Sequence, residues 1–347
     1  MLTAQLEARV HLLAAQGSAA AAGEDEEVAG AEEALGERRD AIEAALAVSD
    51  VSDVDGLLEV LSDQDDLLRD HATAETATEA RRARTGLSSS AARLAVVAES
   101  MTGGRLPADV AAPLAGSHLT ALLAIDDARQ EGGAAGAAVA LGESLASCGR
   151  LLEPLLLALT AEVGLEGAPV GDATLLRADL ASMLVQHGFG AAEAALGIEG
   201  GEELVDGATD RLSASVAASY GDEAAVGVRA RWSDQVGTAG EVVLAAAALR
   251  QASGPSRREA ARRSADLAEH RSDDAIGAVA ELLAETMGDD AVGHAVRTSL
   301  RDHRLALVAL VEGDPVRSWP LVAEAALDLS DLSATLASAV TRQKSLG

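Results

Sequence analysis

Residues 85–127 of this chain read TGLSSSAARLAVVAESMTGGRLPADVAAPLAGSHLTALLAIDD, and this stretch decides the fold class. Its apolar residues are mostly Ala and Leu, which are strong helix formers, and they recur at near-helical spacing. We predict one helix from about Ser88 to Ser100, ended by Gly103-Gly104. Pro107 then opens a second helix near its first turn, where the missing N–H of proline does no harm. The stretch predicts helices and no strand.

The same composition continues on both sides of this stretch. Aromatic residues, which favour strands, make up only 1% of the 347 residues. We expect an all-α fold, with about ten or more helices in a single bundle. Residues 1–84 are predicted to form N-terminal helices that can belong to this bundle, the third of them capped by Ser52 and Asp53, and residues 85–347 to form its core. No repeat of fixed period is found.

The net charge of −29 limits the partners of the chain. Nucleic acids and anionic membrane surfaces are bound through clusters of Lys and Arg, so neither is expected as a partner. Lys344 is the only lysine. An acidic, lysine-poor, Ala-rich sequence is typical of a halophilic archaeon or of a high-GC bacterium, and we favour the halophile because molar salt screens such a surface.

Motifs of secretion, membrane insertion and metal binding are not found. Cys148 is the single cysteine and is interpreted as a core residue. The N-terminus lacks the pattern of a signal peptide, and the longest apolar stretch, 155–161, is too short to span a bilayer. We therefore predict a cytoplasmic protein with no membrane span. Several histidines show no HExxH or ExxH spacing: His11, His71, His187, His270, His294 and His303.

Two segments carry a resemblance to a known family. They are residues 85–127, quoted above, and residues 134–156, AAGAAVALGESLASCGRLLEPLL. In order, helix length and glycine positions they resemble the first half of isoprenyl diphosphate synthases (the polyprenyl synthetase family). That family shows a GGKRLRP-type motif, an Asp-rich DDxxD motif and a later helix with a GDALLAxAF-like signature. The resemblance implies a helical fold around a central cavity.

The resemblance also assigns candidate site residues. Asp126 and Asp127 stand at the first two acidic positions of the Asp-rich motif, where the family holds Mg²⁺ against a diphosphate. Gln130 stands at the third acidic position, and Glu131-Gly132-Gly133 replaces the arginine pair. The positions of the diphosphate-binding Lys and two Arg are taken by Leu87, Ser88 and Ser90. A substrate pocket would be lined by His118, Ala121 and Leu122.

Three functions remain open at this point. The first is a non-catalytic protein with the isoprenyl-synthase fold, acting as a partner subunit of an active synthase or as a homo-oligomer. The second is an active, divergent prenyltransferase, or an enzyme that ionises an allylic diphosphate, with Mg²⁺ as its cofactor and a prenyl diphosphate as its ligand. The third is a helical interaction scaffold unrelated to isoprenoids. The missing cationic anchors favour a protein without catalysis.

Overall fold

The computed structural model describes residues 2–47, 51–132, 134–163, 172–196, 200–312 and 315–344, without the side chains of residues 18, 21–22, 129–132, 134–139, 172–175 and 315–318. Twelve α-helices and no strand are formed by this part of the chain. The prediction of an all-α fold with ten or more helices is confirmed. The helices group into two compact units, Met1–Val170 and Gly171–Gly347.

The first unit consists of six helices. They are α1 (Leu2–Ala22), α2 (Asp25–Ala47), α3 (Val54–Ala72), α4 (Ala77–Met101), α5 (Ala108–Gly132) and α6 (Ala134–Glu162). Each helix packs against the next one along the chain, and α1 also packs against α3, α5 and α6. The first helix is therefore the centre of the unit, which explains why its polar residues are buried together with its apolar ones.

The second unit also consists of six helices. They are α7 (Asp172–Ala195), α8 (Gly201–Tyr220), α9 (Asp222–Gln251), α10 (Pro255–Met287), α11 (Asp290–Glu312) and α12 (Pro315–Lys344). Here too each helix packs against the next, and α7 also packs against α9, α11 and α12. The interior is apolar around Trp232, Ile276 and Leu283, which are almost fully buried.

The division of the chain lies elsewhere than the sequence suggested. A boundary between residues 84 and 85 would cut through the middle of α4, which begins at Ala77. Thr76 starts this helix with a capping box, because its hydroxyl accepts from the N–H of Glu79 while the Glu79 carboxylate accepts from the N–H of Thr76. Residues on both sides of position 84 therefore belong to the first unit, and the units meet at Val170 and Gly171 in sequence.

Two local predictions in the first unit need correction. In the sequence, the run of small residues between Gly17 and Gly23 favours a break, yet α1 continues through Gly17 to Ala22 and only Gly23, with φ of +74°, ends it. Asp53 precedes α3 as predicted, but its backbone is left-handed (φ 59°) and its side chain makes no capping hydrogen bond. Burial of α1 at the centre of the unit outweighs the low helix propensity of one glycine.

Two helical segments are long and apolar enough to span a membrane by length and hydropathy alone, Ala108–Ala128 and Ala140–Glu162. About half or less of each is buried within the protein, 39% and 50% respectively. Core helices of this composition pass the same criterion, so the two segments give no clear membrane span.

Candidate functional site

The second unit contains a cavity of about 390 Å³ between α7, α8, α9 and α11. Small-molecule sites typically have volumes of about 300–1,000 Å³, so this cavity is of the size that accepts a compact ligand. Its walls are largely small and aliphatic, contributed by Ala191, Ala194, Val205, Val243 and Leu307. A cavity of this kind suits a ligand that has an apolar body and a few polar groups.

Three polar side chains of the cavity lining are almost completely buried. His187 on α7 is 2% exposed, Gln235 on α9 is 1% exposed and His303 on α11 is 1% exposed. Within the described residues no hydrogen-bond partner is found for Nδ1 of His187, Oε1 of Gln235 or either ring nitrogen of His303. A buried polar atom left unpaired costs about 1–3 kcal/mol, so these side chains need partners inside the cavity.

Close helix packing holds these side chains in place. Next to His187, Gly188 lies so close to α12 that a Cβ would come within 2.7 Å of the Cβ of Ala326. The His187 ring meets Trp232 edge-to-face at 5.2 Å between centroids and lies 5.7 Å from the His303 ring. The close approach of α7 to α12 fixes the backbone next to His187, and the contacts with Trp232 and His303 restrict the rotation of its ring.

Both buried histidines are neutral. Burial lowers the pKa of His187 to about 4, and burial together with the neighbouring His187 ring lowers the pKa of His303 to about 3. A neutral imidazole has one N–H donor and one acceptor nitrogen. With the acceptor oxygen of Gln235, the floor of the cavity therefore offers more acceptors than a positively charged histidine pair would allow.

The mouth of the cavity is acidic. Glu202 and Asp206 on α8 belong to the lining and are exposed, and none of the lining residues is Lys or Arg. Leu244, 72% exposed, lies at the same rim. The cavity thus combines a neutral polar floor, apolar walls and a negatively charged entrance.

The two aspartates singled out from the sequence have different surroundings in the first unit. Asp127 at the end of α5 accepts a short hydrogen bond from Arg84, and its Oδ1 lies 3.4 Å from Nε2 of His71. Asp126 is buried, 8% exposed, and lines a small cavity of about 10 Å³ with Leu122. The neighbouring carboxylates do not face one common space. The side chains of Gln130 and Glu131–Gly133 lie outside the described residues.

The pocket residues predicted from the sequence are also separated. His118 is buried, and its Nδ1 lies 3.2 Å from Oγ of Ser147 on α6. Burial, with the nearby charge of Arg9, lowers the pKa of His118 to about 3. Leu122 lines the 10 Å³ cavity beside Asp126, and Ala121 is half-buried. His118 is thus part of the core of the first unit.

The positions that the family fills with diphosphate-binding cations lie on α4. Leu87 and Ser88 line a groove of about 330 Å³ between α4 and α5, together with Leu119 and Leu123. The hydroxyl of Ser88 donates to the carbonyl of Arg84 in its own helix. Ser90 is buried, 2% exposed. Two of the three positions therefore share one groove, and the third faces the interior.

Sequence reasoning missed the cavity of the second unit. His187 and His303 were considered only as metal ligands, for which their spacing is unsuitable, and Gln235 was not considered. Each lies on a different helix, 48 and 68 residues apart along the chain, so no local motif contains them. The available signal was a polar residue on an otherwise apolar helix face, as in LVQHGFG (184–190). Among the residues that the structure describes, no group of three or more His, Cys, Asp or Glu side chains is placed to hold a metal ion.

Comparison with known proteins gives this chain no relative. No family model matches it, and neither curated proteins nor solved structures give a significant match.

Proposed function

We propose that this chain is a non-catalytic binding protein that holds a small molecule in the cavity of its second unit. The observation that carries the proposal is that three buried polar side chains with unpaired atoms, those of His187, Gln235 and His303, belong to the lining of one cavity of about 390 Å³. A bound molecule with several polar groups would satisfy these atoms while its apolar part contacts the alanine and valine walls.

Water is the competing occupant of such a cavity. A volume of this size accommodates roughly a dozen waters at their volume in the liquid. Water could satisfy the polar groups, but it would leave the alanine and valine walls hydrated, which is unfavourable for apolar surface. A ligand that combines both surface types fits the lining better than water does, which is why we favour a binding function.

The proposal is tested by filling the cavity. We expect compounds from a library of small neutral, cationic and anionic fragments to bind the purified protein in saturation-transfer NMR. Ala191→Leu adds a branched side chain inside the cavity and should abolish this binding. Ala230→Leu makes the same change at an exposed position of α9 that is not part of the lining, and it should leave binding intact.

The binding experiment needs a folding control, and two outcomes would contradict the proposed site or the proposed function. Circular dichroism must show that both variants keep the helical content of the parent protein. Fragments that bind the parent and the Ala191→Leu variant equally well would place the binding surface elsewhere. A parent protein that binds no fragment would overturn the proposal.

We also propose a second candidate, a non-catalytic isoprenyl-synthase-like partner subunit. Its catalytic alternative is an active Mg²⁺-dependent prenyltransferase. The resemblance of residues 85–156 supports it, together with the groove that Leu87 and Ser88 share with Leu119 and Leu123. The aliphatic side chains of this groove of about 330 Å³ could contact part of a prenyl chain, although Ser88 and Thr120 make its lining partly polar. Asp127 would have to leave Arg84 and His71 to bind Mg²⁺.

This second candidate is tested with farnesyl diphosphate, with and without Mg²⁺, by isothermal calorimetry. Binding that weakens in Leu119→Asp but not in Val110→Asp, an exposed position of the same helix, would support it. Enzymatic turnover that is lost in Asp127→Ala would establish the catalytic alternative, an active prenyltransferase. Absence of heat in both conditions would remove the candidate, and light scattering of the same sample tests the predicted oligomer.

A further inference from the structure

The two units are built on one plan. In each, consecutive helices pack together, and the first helix also packs against the third, fifth and sixth helices of its unit. One helix pair differs, because α10 also contacts α12 in the second unit. The similarity is one of helix order and has no fixed period in the sequence.

Matching polar residues support this correspondence. The third helix of each unit contains Ser-Asp-Gln, at 62–64 in α3 and at 233–235 in α9, and both glutamines are buried. The fifth helices carry the buried His118 and His303. The sixth helices carry buried serine pairs three residues apart, 26 and 27 residues after those histidines: Ser144 and Ser147 in α6, and Ser330 and Ser333 in α12.

In the first unit a guanidinium group lies beside the corresponding glutamine. Arg9 on α1 is 2% exposed, and its Nη2 donates to Oε1 of Gln64 at 3.3 Å and to the carbonyl of Leu61 at 3.2 Å. Its Nε donates to Asp65 at 2.9 Å, and Arg39 on α2 binds the same carboxylate. The charge of Arg9 also contributes to lowering the pKa of His118.

The corresponding helices of the second unit enclose the cavity. Arg9 on α1 binds α3 directly and shares the Asp65 carboxylate with Arg39 of α2, and its charge reaches α5 through its effect on the pKa of His118. The cavity lies among α7, α8, α9 and α11, which hold the same places in the order of their unit. Gln235 corresponds to Gln64, and its Oε1 has no donor within the described residues. Val236 takes the place of Asp65, and the carboxylates of the second unit are those of Glu202 and Asp206 at the mouth.

We propose that the ligand of this cavity is a small organic cation with a guanidinium or primary ammonium head and a short apolar body. The inference rests on the proposed binding function. In the first unit the protein places its own Arg9 against Gln64, and in the second unit a separate molecule donates to Gln235. The neutral rings of His187 and His303 accept further N–H groups, and Glu202 and Asp206 provide the charge attraction that Asp65 provides to Arg9.

A positive charge is favoured over a neutral or negative one for a physical reason. The lining has two carboxylates and no cationic side chain, and the chain as a whole carries a net charge of −29. An anion would meet repulsion at the mouth and acceptor atoms on the floor. A guanidinium group offers five N–H donors in one plane, which can pair with the acceptor nitrogen of each neutral imidazole and with the oxygen of Gln235.

The experiment compares four probes of nearly equal size at one fixed salt concentration: n-butylguanidinium, n-butylammonium, n-butylurea and butyrate. We expect n-butylguanidinium to bind most tightly by ligand-observed NMR titration, and n-butylurea, its neutral isostere, to bind at least tenfold more weakly. Butyrate should not bind. Gln235→Leu should weaken the binding of both guanidinium and urea, because both donate to the same oxygen.

Charge variants test how much the two carboxylates at the mouth of the cavity contribute to binding of the cation. Glu202→Gln and Asp206→Asn should each weaken the binding of n-butylguanidinium about two- to five-fold, since both carboxylates are exposed and partly screened. The binding of n-butylurea should not change. Glu203→Gln removes the same charge from an exposed position of α8 outside the lining, and it should leave both probes unaffected.

The outcomes separate this inference from the proposal on which it rests. Equal binding of n-butylurea and n-butylguanidinium, or tighter binding of butyrate, would overturn the cation while leaving a ligand-binding cavity in place. Binding of none of the four probes, with other fragments lost in Ala191→Leu, would have the same meaning. Failure of the four probes and of every library fragment would overturn both.

Discussion

The two units share a plan of six helices but fill their interiors differently. The first unit has no aromatic residue, whereas Phe189, Tyr220, Trp232 and Trp319 all lie in the second. In the first unit a buried guanidinium, that of Arg9, joins α1 to α3 through Asp65 and Gln64. In the second, buried polar side chains line a cavity and find no such partner among the described residues.

The same arrangement of helices can therefore serve either stability or binding. A buried polar group is tolerated only if another group satisfies it. When the partner is a side chain of the same unit, the interaction fixes the fold. When the partner is a separate molecule, the same arrangement becomes a binding site, and the protein is less stable without that molecule. The predictions below test the two halves of this comparison.

The largest effect is expected from removing the guanidinium of the first unit. Arg9→Met should lower the free energy of unfolding by about 3–5 kcal/mol, because it leaves the buried carboxylate of Asp65 with Arg39 as its remaining cationic partner. Circular dichroism during urea unfolding should show an earlier transition. Tryptophan fluorescence should keep its midpoint, since both tryptophans belong to the second unit.

Arg93→Met is the matched control for this change. Arg93 pairs with Asp63 and Glu59 at the surface of the same unit, where water replaces the lost contacts. We expect its effect to be far smaller. Equal losses in the two variants would mean that the Arg9 network contributes no more to stability than a surface ion pair.

The second effect concerns pH and the second unit. The pKa values of His187 and His303 are about 4 and about 3 in the folded protein, against about 6.5 for an unfolded chain. At these two groups the unfolded state therefore binds more protons at mildly acid pH, and their contribution to stability must fall as pH falls below about 6.5. From pH 6.5 to 5.5 the two histidines together should cost about 2 kcal/mol, measured by tryptophan fluorescence in urea.

A double variant isolates this contribution from the titration of the many carboxylates. His187→Asn with His303→Asn should remove the loss of about 2 kcal/mol that the parent shows over this pH interval. The exposed His294→Asn serves as the control and should keep the full dependence. If the double variant and the parent have parallel pH profiles, the two rings are accessible to protons in the folded protein.

The third effect concerns the packing that supports the cavity. A Cβ on Gly201 would come within 2.4 Å of the backbone nitrogen of Ala194, so α7 and α8 touch along their backbones. Gly201→Ala should destabilise the second unit by about 1–3 kcal/mol, measured by tryptophan fluorescence. It should also weaken fragment binding, because Ala194 and Glu202 both line the cavity.

Gly207→Ala, in the interior of the same helix, is the opposite case. A Cβ there meets no atom within 4 Å, and alanine is the better helix former. We therefore expect this variant to gain about 0.5–1 kcal/mol. A loss of stability in both variants would mean that α8 tolerates no added side chain for reasons other than contact with α7.

The sequence predicted the helices far better than the site. Helix α4 ends at Met101, one residue after the predicted end at Ser100, and helix α5 begins at Ala108, directly after Pro107. The candidate residues chosen by resemblance are present on helices, but Asp126, Asp127 and His118 have three separate sets of neighbours. Resemblance carries residue order along one segment, and it contains no information on which helices of a different unit enclose a cavity.

The amino-acid sequence by itself determined the helical class, most helix ends and the acidic surface, because these depend on the propensity of each residue and on neighbours within a few positions. Only the tertiary structure decided that the helices form two units, that Arg9 meets Gln64 and Asp65, and that His187, Gln235 and His303 share a cavity. Those contacts join residues that are about fifty or more positions apart. They follow from helix packing, in which glycine and alanine contacts between whole helices fix which polar side chains meet.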